Sequence, residues 1–109
     1  MGAMAEAPKL RRYTRVRLKP ARWVAVESPG RRETYRCTAM GLGGLYLECA
    51  EPLPEGSLVR FAVEIGGTTI RGTASVRDLS AGGVGLAFLT LKPDDRTRLR
   101  AFIEGQPKS

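Results

Sequence analysis

The sequence predicts a mainly β fold: a six-stranded antiparallel barrel with one C-terminal α-helix and a flexible basic arm at the N-terminus. Three observations predict it. Short segments that alternate apolar and polar residues recur six times, at a spacing of about 8–12 residues. Turn signals built from Gly, Pro, Asp and Ser separate them. An apolar pattern of helical period occurs once, after the last of these segments. At 109 residues and 42% hydrophobic, the chain is one small domain with enough apolar content for a single core.

Residues 1–8 are small and polar and are expected to be disordered, with MGAM, which ends in a second methionine at Met4, expected to be a cloning scar before the natural start. The arm follows over residues 9–20. Its core, KLRRYTRVR from Lys9 to Arg17, holds five cations in nine residues and no acid. From Arg22 to Glu27, Val24 and Val26 alternate with outward residues, which gives a first strand. Ser28-Pro29-Gly30 turns the chain into a second, from Arg31 to about Met40, with Tyr35, Cys37 and Ala39 on one face. GLGG at Gly41–Gly44 reads as a tight turn, where glycine permits positive φ and close backbone approach. In the third strand Leu45, Leu47 and Cys49 share one face, with Tyr46 and Glu48 opposite.

The fourth strand is the clearest, with Val59, Phe61, Val63 and Ile65 in strict alternation. Gly66-Gly67 leads to a fifth, with Ile70, Gly72, Ala74 and Val76 inward, and a loop at Asp78–Gly82 to a sixth, with Val84, Leu86 and Phe88 inward. The helix is expected from Pro93 to about Glu104. Proline suits its first turn, Asp94 and Asp95 complement the positive end of its dipole, and Leu99, Phe102 and Ile103 form its apolar stripe. Residues 105–109 are a tail.

The net charge is +7, and seven of the 18 cations lie between Lys9 and Arg22, where there is no acid. A local excess of this kind predicts an anion-binding arm, for phosphates, acidic proteins or anionic lipid. Two cysteines without a histidine exclude the usual four-ligand zinc site. Nothing in the chain approaches a membrane span of roughly 20 apolar residues, and the start lacks the apolar core of a secretory signal, so a cytoplasmic protein with reduced thiols is expected. Cys37 and Cys49 are expected roughly opposite each other across the second hairpin, either as small apolar core residues or as a redox-sensitive pair. Trp23 is out of phase with Val24 and Val26; it packs under the arm or helix, or contacts a partner. Arg96, Arg98 and Arg100 read as a solvated helix face. No Ser-His-Asp, Cys-His, paired-carboxylate or phosphate-loop arrangement is present, so the chain is read as a non-enzyme with no metal.

The arm RRYTR, the six strands, the glycine-rich turn after the second, G-x-G-x-x-F in the sixth and the terminal L-x-x-F-I helix together resemble the PilZ domain family. The resemblance covers Lys9 to Glu104 and so places one PilZ-like domain over residues 9–104. It implies a six-stranded antiparallel PilZ-type barrel from a bacterium, and cyclic di-GMP as the ligand. In that family the ligand site joins an R-x-x-x-R arm to a later D/N-x-S-x-x-G turn. The first half is present as Arg11 and Arg15, with Arg12 beside them. Guanidinium groups suit the task because they bind phosphate oxygens bidentately and stack on or hydrogen-bond to guanine. The second half falls on Ala39, Gly41 and Gly44. Gly44 matches the final glycine, whereas Ala39 and Gly41 replace the carboxylate or amide and the hydroxyl. Losing two hydrogen bonds costs about 1–3 kcal/mol, or roughly five- to 150-fold in affinity. A literal D-x-S-x-x-G occurs later, as Asp78, Ser80 and Gly83. It reads either as ordinary turn chemistry or, with Arg77, as an accessory set of groups near the same barrel mouth.

Three functions remain open on the sequence. The first is a stand-alone cyclic di-GMP receptor whose arm is reordered on the barrel and signals to a downstream protein partner. The second is a PilZ-like adaptor that no longer binds the nucleotide and acts by protein contact, in motility or pilus function. The third is a basic barrel that binds nucleic acid; it is disfavoured because such barrels use exposed aromatic platforms and this chain has few aromatics.

Overall fold

The computed structural model describes residues 15–51 and 53–106. Its elements are β1 (Arg15–Ser28), β2 (Arg31–Gly41), β3 (Gly44–Glu48), β4 (Leu58–Ile65), β5 (Thr68–Ser80), β6 (Gly83–Leu91) and α1 (Pro93–Glu104). Every pairing is antiparallel, and the strands close in the order β1-β2-β3-β6-β5-β4. Closure leaves no unpaired sheet edge.

The alternation seen in the sequence becomes the core. Val59, Phe61, Val63 and Ile65 are all buried, as are Leu45 and Leu47, Ile70, Ala74 and Val76, and Val84 and Leu86. Phe88 stacks on Phe61 with ring centroids 5.1 Å apart. Leu99 of α1 is buried, and Phe102 and Ile103 pack half-buried against the barrel. The Arg22 guanidinium lies 5.2 Å from the centre of the Phe102 ring, so β1 grips the helix from outside its apolar stripe.

Four expectations change. The arm was expected to stay separate as far as Pro20, but residues 15–20 already belong to β1, with Arg15 opposite Gly41, Val16 opposite Met40 and Arg17 opposite Ala39. The pairing breaks between Arg17 and Arg22, a stretch that contains Pro20, whose nitrogen has no hydrogen to give to a ladder. Ala39 leaves the face of Tyr35 and Cys37, because the register of β2 against β3 shifts between Cys37 and Ala39. One extra residue at such a bulge reverses the alternation beyond it, so Met40 enters the core and Ala39 faces away. The segment from Asp78 is not a loop: β5 continues to Ser80, and Ala81-Gly82 alone makes the turn, with Gly82 at φ 82°. Finally, the glycines of GLGG have no positive φ.

The cysteines are both free and buried, and they do not face each other: Cys37 lies opposite Leu47, while Cys49 follows the end of β3. Burial pushes the Cys37 thiol from 9.0 up to about 11, and its Sγ lies 3.2 Å from the Ala39 carbonyl oxygen. A raised folded-state value means that the stabilisation is fully present below pH 9.0 and is lost as pH rises through about 11, because the unfolded thiol ionises first. Two outcomes are expected. Native Cys37 resists iodoacetamide at neutral pH, and the urea midpoint falls between pH 9.0 and about 11 by less in Cys37→Val than in the parent.

Candidate functional site

Residues directly paired across strands carry their side chains on the same face. The registers therefore define a continuous surface turned away from the core. Arg17 pairs with Ala39, Ala39 with Tyr46, Tyr46 with Gly85 and Gly85 with Asp78. The neighbouring rows set Arg15 against Gly41 and run from Glu48 through Gly83 to Ser80. The middle of this surface holds Ala39, Gly41, Gly83 and Gly85, none with more than a methyl group. Longer polar side chains reach over it from the sides.

Two of these side chains depend on the glycines beneath them. A Cβ at Gly85 would lie 3.1 Å from Asp78 Oδ2, so the bare backbone lets the carboxylate lean across β6. A Cβ at Gly83 would collide with the Tyr46 phenol, which passes over that glycine to reach Ser80, where Tyr46 Oη and Ser80 Oγ are 2.6 Å apart. The Arg15 guanidinium stands 3.9 Å from Asp78 Oδ2. A cation and a carboxylate from opposite ends of the barrel sequence thus meet on this face. Both keep contact with water: the Arg15 side chain is 23% exposed and that of Asp78 59%. At that exposure this pair contributes no more than about 1 kcal/mol to stability.

The sequence-derived candidates divide accordingly. Arg11 and Arg12 lie outside the described residues. Arg15 and Ala39 lie on this face with Gly41, which pairs with Arg15, and neither Ala39 nor Gly41 carries a polar side chain. Gly44 is adjacent, but the Leu86 carbonyl oxygen occupies the place that its Cβ would take, so its role in the barrel is close approach of β3 to β6. Asp78 and Ser80 join the face, placed by strand register. Arg77 lies at the register shift between Val76 and Asp78, where its Nε donates to Ser75 Oγ at 3.0 Å. Arg96 approaches the Leu42 carbonyl oxygen at 3.5 Å and Arg98 pairs with Asp95 at 3.0 Å, so this helix face is partly committed to the fold. Trp23 is exposed, on a different part of β1.

Sequence reasoning passed over Arg17, Tyr46 and Gly85 as site residues. For the last two the signal was present. Tyr46 is out of phase with Leu45 and Leu47, and Gly85 is out of phase with Val84 and Leu86, so both had to lie on the face opposite the core. A recess of about 840 Å3 lies elsewhere, at the other end of β1, between Leu58, Leu89 and the Arg31-Arg32 hairpin, and none of the converging groups above lines it. The convergence of charge and small residues, and not volume, marks the candidate face.

This face can accept a flat, polar, anionic molecule. The bare backbone offers room for rings, arginine offers donors to phosphate or to a purine edge, and Asp78 offers an acceptor. Comparison with known structures matches the barrel. The PilZ domain of YcgR from Escherichia coli with c-di-GMP superposes with a TM-score of 0.72 at 22% identity, over 86% of this chain and 88% of that one. The Bacillus subtilis inhibitor of motility MotI/DgrA gives 0.71 at 17% identity over 86% of this chain, which spans only 49% of the longer protein. The PilZ domain of CeSA from a cellulose-synthesizing bacterium gives 0.68 at 14% identity, over 84% and 96%. No curated protein sequence matches the chain. Among the described residues no helix is long and apolar enough to cross a membrane. Because the family model for the PilZ domain matches residues 9–105, nearly the whole length, the chain belongs to the PilZ domain family.

Proposed function

We propose that the chain is a bacterial, cytoplasmic cyclic di-GMP receptor that signals by drawing its arginine arm onto the face between β1 and β5. The observation that carries this reading is the register of Arg15 against Gly41. It sets the second arginine of the R-x-x-x-R arm beside the turn where the family's ligand motif falls. Arg11 and Arg12 would close over the ligand from the preceding arm, and Arg17 lies on the same face. Guanidinium groups would take the phosphates and the guanine edges, and the shelf of Ala39, Gly41, Gly83 and Gly85 would take the rings. Family membership and the c-di-GMP named with the YcgR domain support the choice of ligand. Ordering the arm would change the surface offered to a downstream protein partner, in motility or a related process.

One observation favours a second reading, an adaptor that works by protein contact without nucleotide. Ala39 and Gly41 present no polar side chain where the motif calls for two. Isothermal titration separates the readings. The receptor is expected to bind cyclic di-GMP in the micromolar range or tighter; no heat at high micromolar ligand sinks it and leaves the adaptor.

A further inference from the structure

We infer that Asp78 and Ser80, from the β5–β6 hairpin, supply the base-recognising groups that Ala39 and Gly41 cannot, with Asp78 the residue that selects guanine. The inference rests on the receptor reading above. Asp78 lies within ion-pairing distance of Arg15, at 3.9 Å, and its carboxylate leans over Gly85 towards the shelf. A guanine presents two donors side by side, N1–H and the N2 amino group, and two acceptors, O6 and N7, on the adjoining edge. A carboxylate and a guanidinium a few ångströms apart match that sequence of groups: the carboxylate accepts from N1 and N2, and the arginine donates to O6 and N7. Adenine reverses the pattern, with an acceptor at N1 and no amino group at C2. Hypoxanthine keeps N1–H and O6 but lacks the amino group.

Ser80 and Tyr46 frame the other side. Their hydroxyls share a hydrogen bond of 2.6 Å, in which either oxygen can donate, so the pair leaves one hydroxyl hydrogen to give to a phosphate or ribose oxygen. The register of β5 against β6 and β6 against β3 fixes all three groups on one face. These residues thus do by cross-strand placement what a contiguous turn motif does by local spacing.

The test is titration of the full chain, the parent alongside Asp78→Ala and Asp78→Asn, with cyclic di-GMP, its inosine analogue cyclic di-IMP, and cyclic di-AMP. Because Asp78 is exposed, both variants are expected to keep the parent melting temperature, which circular dichroism checks. The expected result is parent binding in the order di-GMP, di-IMP, di-AMP. Asp78→Ala is expected to lose about 10- to 150-fold for di-GMP, the value of a charged hydrogen bond, and to bind di-GMP and di-IMP alike. Unchanged affinity in both variants overturns the assignment while leaving the receptor intact. A gain in affinity also overturns it, since the carboxylate would then merely be quenching Arg15. No binding of any nucleotide by the parent removes both the assignment and the receptor reading.

Discussion

Arg15→Ala is expected to reduce cyclic di-GMP affinity by about 100- to 10,000-fold while the barrel melts close to the parent temperature. The two effects differ because the side chain has two unequal roles. Its ion pair with Asp78 spans 3.9 Å between partly exposed groups, and pairs of that kind contribute no more than about 1 kcal/mol. Towards an anionic ligand the same guanidinium makes charge-assisted hydrogen bonds worth about 1.5–3 kcal/mol each, and its planar fork makes two at once. Two such bonds give about 3–6 kcal/mol, or roughly 150- to 20,000-fold, which sets the order of magnitude. Lysine keeps the charge without the fork, so Arg15→Lys should recover only part of the loss. Titration of Arg15→Ala and Arg15→Lys, with thermal melts of both, checks the prediction. Parent-like affinity in Arg15→Ala would show that nucleotide does not use this face.

The fold was legible in the sequence because burial in a barrel follows a period of two, and that period survives in nearly every strand. Val59 to Ile65 needed no other information. The departures come where a single extra residue changes the period. The register shift after Cys37 turned Ala39 outward, and the shift after Val76 put Asp78 on the same face as Gly85. Neither bulge has a local signature, since each is set by the partner strand and not by the residues that form it. The site was half legible for the same reason. Its arginines stand out as a charge run in the sequence, whereas the carboxylate that Arg15 meets lies 63 residues later and joins it only through four strand pairings. A motif search in sequence order assigns Asp78 to a turn. Strand order assigns it to the arm.

Gly44→Val is expected to prevent folding, and Gly44→Ala is expected to cost about 3–5 kcal/mol. The atom in the way is backbone. The Leu86 carbonyl oxygen fills the space of a Cβ at Gly44, with Leu86 carbonyl carbon 3.0 Å away and Ala87 Cα 3.3 Å away. A flexible side chain could rotate aside, but a backbone carbonyl where β3 and β6 run side by side moves only by forcing the two strands apart around Gly44 and Ala87. β3 is five residues long and is the sole link between β2 and β6 in the strand order, so prising it from β6 opens the barrel and exposes two strand edges. Against a total stability of about 5–15 kcal/mol for a domain of this kind, the methyl is serious and the isopropyl group is not tolerable. Gly85→Ala is the control: its Cβ would meet only the Asp78 side chain, at 3.1–3.2 Å, and that exposed group can swing away, so the cost should stay below about 1 kcal/mol. Urea melts of the two alanine variants, and the soluble yield of Gly44→Val, decide the matter; equal midpoints for Gly44→Ala and Gly85→Ala would defeat the argument. Gly44 is also the one position at which the β2–β3 turn keeps the family's ligand motif. Since closure of the barrel requires a glycine there whatever the face binds, that match carries no weight for nucleotide binding, and the case for a ligand rests on Arg15 and the groups that converge on it.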